Sequence, residues 1–145
     1  MLALTKERAL GLHRNMWLWI SREIAKSKSM LIIDMLKEEY IEKYCDNKYI
    51  NHNCFACEFA YRKAAEKYGN DYYTEILRSE FCPLEWGATG DEEGRYMCEC
   101  NNNDFDDETG LFAQCKNMMG SNKDSWKKQA KLAYKIAMLP EKKDD

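Results

Sequence analysis

Cys54, Cys57, Cys82, Cys98 and Cys100 have the side-chain type and the spacing to hold a metal. Two cysteines three apart, as in Cys54-Phe55-Ala56-Cys57, aim two sulfurs at one point when they sit in a tight turn or at a helix start. Two thiolates from a later segment then complete a tetrahedron around Zn²⁺, whose filled d shell imposes no geometry of its own and which accepts four sulfurs. The spacing selects Cys54, Cys57, Cys82 and Cys98 as ligands, with Cys100 as a substitute for Cys98 and His52 as a weaker candidate. Residues two apart in a strand face the same way, so Cys98 and Cys100 compete for the fourth position. The second half departs from a strict Cys-x-x-Cys form, because Ser79 stands three residues before Cys82. A shell closed by four thiolates leaves no position for a substrate, which makes the expected zinc structural and the chain no enzyme.

Other chemistry fits less well. A Cys-x-x-Cys redox pair normally follows a β-strand in an alternating α/β chain, and this chain reads as mostly helical. A nucleophilic cysteine needs a base, and His13 and His52 stand in no recognisable motif. The acidic run from Asn101 to Gly110 fails as a calcium loop: counted from Asp104, the glycine comes one position late and the twelfth residue is Cys115. It reads instead as a solvated loop, or as an acidic patch for a basic groove on another protein. Cys45 and Cys115 read as buried or free thiols, and His13 as a satisfied core residue.

The elements that must position the cysteines follow from periodicity. Leu10, His13, Trp17, Ile20 and Ile24 recur at three- and four-residue steps, predicting a helix from Thr5, a cap, to Ser27. The run Met16-Trp17-Leu18-Trp19-Ile20 is wider than one stripe, so this helix is buried on more than one side or meets a partner. A second helix is expected from Asp34, as cap, to Tyr44, with Met35, Leu36, Tyr40, Ile41 and Tyr44 inward. A third starts at the cysteine knuckle, with Phe59, Ala60, Ala64 and Tyr68 on one side and Gly69-Asn70 as its stop. Its free amides and dipole favour a thiolate at that end. A short helix is expected over 71–80 and a helical piece over 111–119. A strand is expected over 95–100 as half of a small hairpin. A last helix runs from Trp126 to Leu139 and ends at Pro140, with Trp126, Ala130, Ala133, Ile136 and Ala137 on its apolar face. Lys127, Lys131 and Lys135 line a solvated face of that helix, and the tail from Glu141 onward is expected to fray.

Composition sets the class. The 145 residues suffice for one domain with its own core. The 45% hydrophobic and 32% charged content describes a globular chain with a wet surface. No stretch approaches the roughly 20 apolar residues of a membrane span. The start, Met1 to Arg8, lacks the order of a signal peptide. Both point to an intracellular protein, where seven cysteines favour metal over disulfides. A net charge of −3 argues against nucleic acid, whose affinity comes from clustered Lys and Arg, and for a protein partner.

Four motifs occur in order: Leu12-His13-Arg14-Asn15-Met16-Trp17-Leu18-Trp19-Ile20; Cys54-Phe55-Ala56-Cys57-Glu58-Phe59-Ala60; Cys82-Pro83-Leu84-Glu85-Trp86; and Trp126-Lys127 through Pro140-Glu141. In this order the chain resembles a group of small cysteine-containing proteins encoded by phages and prophages of Gram-positive bacteria, and zinc-containing type II anti-CRISPR proteins in particular. The resemblance implies a zinc role for Cys54, Cys57 and Cys82, and less directly for Cys98 or Cys100. It also implies a partner: the RNA-guided DNA nuclease of a type II CRISPR system, met in the bacterial host cytoplasm. Such a nuclease holds nucleic acid in strongly basic channels that an acidic protein can bind. The expectation is therefore a mainly α-helical single domain over 1–145 with a small β-hairpin, built on a Cys₄-type structural Zn²⁺. Its parts are N-terminal helices (1–45), a zinc-binding segment (46–110) and a C-terminal helix (111–145). The expected function is inhibition of that nuclease by protein–protein binding. The competing expectation is a zinc-stabilised nucleic-acid-binding or regulatory module of a phage.

Overall fold

The computed structural model describes residues 3–45, 54–69, 81–84, 115, 118 and 123–141, and the backbone alone of 88–90 and 96–98. The described part is mainly helical: α1 spans Lys6–Ser27, α2 Ile33–Tyr44, α3 Phe55–Tyr68 and α4 Ser125–Ala137. Two three-residue backbone segments, β1 (Ala88–Gly90) and β2 (Tyr96–Cys98), lie antiparallel with Ala88 opposite Cys98. The segments expected to be helical over 71–80 and the acidic run 101–110 lie outside the described residues. So does the piece over 111–119, except Cys115 and Met118.

α1 is the axis of the molecule. Thr5 caps it as expected, its side-chain oxygen accepting from the Arg8 amide at 3.2 Å. It ends at Lys28, which takes the left-handed conformation (φ 55°) with its amide bonded to the Ile24 carbonyl. Its largest interface is with α4, and smaller ones join it to α3 and α2. Met16, Trp17, Ile20 and Ile24 of α1 share one buried cluster with Leu132, Ala133, Ile136 and Ala137 of α4. The alanines on α4 let the two backbones approach, so a long helix with large side chains meets a short one with small side chains. Trp17 is core, whereas Trp19 is partly buried at the edge of the same cluster.

Polar contacts reinforce this packing. The Ser21 hydroxyl donates to the Ala130 carbonyl at 2.8 Å. His13 Nε2 lies 2.9 Å from the Ile136 carbonyl in the last turn of α4, a carbonyl that also accepts from the Leu139 amide at 3.3 Å. Burial drives the His13 pKa down to about 4, against the opposing effect of that bond. The ring is therefore neutral at pH 7 and donates from Nε2.

α2 corrects the expectation in three places. Ile32, not Asp34, occupies the cap position and makes no side-chain cap bond; Asp34 lies inside the first turn. There the helix dipole favours its charge. Met35 and Tyr44, expected inward, are 62% and 60% exposed. The buried face is Ile33, Leu36, Lys37, Tyr40 and Ile41, because the first buried position is Ile33 and the face is turned away from Met35. Lys37 is buried through its stem, with its ammonium 5.9 Å from the centre of the Trp17 ring. Tyr68 on α3 is likewise more exposed than expected, at the end of its helix. Glu141 is not frayed: it pairs with Leu84 in an isolated β-bridge and with Lys6 at 2.9 Å.

Candidate functional site

The local structure at the cysteine pair follows from the start of α3. Cys54 is the N-cap residue, in extended conformation, and its sulfur accepts a hydrogen bond from the Cys57 amide at 3.2 Å. A sulfur here does what a serine or aspartate oxygen does at most helix starts. Both cysteines are partly buried at the positive end of the helix, where the dipole lowers the cost of a negative charge. Glu58 follows in the same turn, buried, with Arg62 Nε 3.3 Å from its Oε1. Sequence periodicity did not single out this pair. Its signals are an acidic residue in the first turn and an Arg four residues later.

Cys82 is buried in the main core cluster, and Cys54 packs against that cluster. Only the backbone of Cys98 is described, at the end of β2. Cys100 and His52 lie outside the described residues. Among the described residues, no three His, Cys, Asp or Glu side chains gather as a group able to hold a metal ion. The structure thus places Cys54 and Cys57 together at the start of α3, and does not assemble the tetrad within the described part.

The other cysteines have different surroundings. Cys115 is fully buried, and burial pushes its thiol up to about 12. Its Sγ lies 3.7 Å from the Gln129 carbonyl. Such a thiol is neither a nucleophile nor a ready ligand. Cys45 is buried in the same core, just past the end of α2.

Two surfaces stand out beside the cysteines. At the end of α2 the rings of Trp19, Tyr40 and Tyr44 form a cluster of tilted and edge-on contacts, with centroids 5.6 Å apart for Trp19–Tyr40 and 4.9 Å for Tyr40–Tyr44. On α4, Lys127, Lys128, Lys131 and Lys135 are exposed, as expected of a solvated face. A groove of about 310 Å³ runs along α1 past Leu10, Gly11 and Arg14 to Leu84 and Leu139. No described helix is long and apolar enough to cross a membrane. Compared with protein-family models, curated proteins and solved structures, the chain matches none of them.

Proposed function

We propose that this chain is a non-enzymatic phage or prophage inhibitor that binds a type II RNA-guided DNA nuclease in the bacterial host cytoplasm. A structural Zn²⁺ held by Cys54, Cys57, Cys82 and Cys98, with Cys100 as the alternative to Cys98, stabilises its fold. The observation that carries a protein-binding role is the Trp19–Tyr40–Tyr44 ring cluster, in which Tyr44 meets Trp19 edge-on and is itself 60% exposed. Aromatic rings packed on one side and open on the other are frequent anchors of protein interfaces. The Cys57 amide bonded to the Cys54 sulfur supports the zinc, because a metal thiolate is a strong acceptor. The net charge of −3 suits a basic partner. The nuclease itself comes from the ordered motifs and the resemblance they carry.

The test is target-DNA cleavage by several type II nucleases with and without the protein. Inhibition of one of them that Tyr44→Ala weakens supports the reading. Full cleavage by all of them removes it.

One observation favours a second reading, a nucleic-acid-binding module: α4 carries four exposed lysines and no acidic residue. Salt-dependent binding of the free protein to DNA or RNA, weakened by Lys127→Ala with Lys131→Ala, selects that reading instead.

A further inference from the structure

The outward face of α2 carries an exposed apolar pair set among carboxylates. Ile32 and Met35 are 66% and 62% exposed. At about 100° per residue they share roughly 80° of arc with Glu39 and Glu42, and Glu38 borders that arc. All three glutamates are exposed. The cation beside them, Lys43, is bound to Glu39 at 2.7 Å. Glu38 and Glu42 have no cation paired with them among the described residues. The face from Ile32 to Glu42 is about 15 Å long, just under three turns of helix.

Water does not favour two large aliphatic side chains one turn apart on an open surface. The carboxylates around them repel phosphates, so nucleic acid and anionic membranes do not suit this face. We infer that the α2 face of Ile32, Met35, Glu38, Glu39 and Glu42 docks a basic amphipathic helix of a partner protein. The apolar pair meets that helix's apolar stripe, and the glutamates meet its flanking Lys and Arg. Such a helix-on-helix contact gets its specificity from charge and its affinity from the few apolar residues at the centre. The inference rests on the inhibitor reading for the partner's biological role, and names a second surface, separate from the Tyr44 rings, by which that partner is held.

The test uses the full chain and a labelled 18-residue amphipathic helical Leu/Lys peptide, with a control in which every Leu is Gln. The expected result is binding of the Leu/Lys peptide that is at least about tenfold tighter than the control and weakens with salt. Ile32→Ser with Met35→Ser, and separately Glu38→Lys with Glu42→Lys, each reduce that binding about tenfold with helical content unchanged. Tyr134→Ser with Met138→Ser, on α4, leaves it intact. Equal binding by the α2 variants, or no binding at all, overturns the inference. So does binding of a DNA oligonucleotide that the α2 variants abolish. The nuclease assay separates the two readings. Peptide binding without inhibition of any nuclease leaves the surface standing and removes the inhibitor reading. Inhibition that survives Ile32→Ser with Met35→Ser overturns this face as the docking site.

Discussion

The side-chain amide of Gln129 pairs with the backbone of Leu31 as one strand residue pairs with another. The Leu31 amide donates to Oε1 at 3.0 Å, and Nε2 donates to the Leu31 carbonyl at 2.9 Å. The remaining Nε2 hydrogen reaches the Cys115 carbonyl at 3.3 Å. One buried side chain on α4 thereby fastens the α1–α2 connection and the segment at Cys115 to the same helix.

Gln129→Leu keeps the volume and removes all three bonds. Net hydrogen bonds contribute about 1 kcal/mol each, and a buried carbonyl left bare adds to the loss. The expected destabilisation is about 2 to 3 kcal/mol, read from urea unfolding. A change below about 0.5 kcal/mol means that water takes over those bonds without cost.

His13 makes stability depend on pH. The unfolded ring binds a proton below pH 6.5, its ordinary value, while the folded ring resists until about pH 4. Stability attributable to this residue is therefore complete above pH 6.5 and falls as the pH drops through that window. The loss is about 2 to 3 kcal/mol by pH 4.5. His13→Gln is expected to shrink the difference in unfolding free energy between pH 7 and pH 4.5 by about that amount. An unchanged difference shows that the imidazole is not the group that titrates.

Much of the helical frame was legible because local rules decide it. Thr5 caps α1, the 3.6-residue pattern of Ile20 and Ile24 points at the core, and Gly69 closes α3 with a φ of 85°. What failed was long-range. Gln129 and Leu31 are 98 positions apart, and no periodicity marks a polar residue as core. On α2, Met35 looked inward because it is apolar, and nothing in the pattern marked the charged Lys37 as buried. The packed body takes Lys37 and leaves Met35 in water, since a lysine stem beside Trp17 fills the space and its ammonium finds a ring. At the cysteines, the helix start at Cys54 and Cys57 was readable from spacing. The choice between Cys98 and Cys100 as a fourth ligand was not, because residues two apart in a strand pattern compete equally for it.

Lys28 holds a left-handed conformation that a side chain with a Cβ adopts at a cost of about 1 kcal/mol. Lys28→Gly relieves that cost, offset in part by the greater freedom of glycine in the unfolded chain. A melting temperature raised by a few degrees is expected. A lowered one means that the Lys28 side chain contributes more than its backbone costs.

Cys115 should be silent to thiol reagents in the folded protein. Its burial and its pKa near 12 leave almost no thiolate at pH 8. Iodoacetamide followed by mass spectrometry is expected to modify Cys115 only after denaturant is added. Modification at the native rate of an exposed thiol contradicts its place in the core.

The most direct measurement is the zinc content of the purified protein by atomic spectrometry, with thermal melting before and after chelation. About one zinc per chain is expected, with loss of the cooperative melt on chelation, and loss of both metal and fold in Cys57→Ser and in Cys82→Ser. Cys115→Ser keeps its metal. A Cys82→Ser protein that retains its zinc and its melting temperature rules out Cys82 as a ligand of a structural zinc.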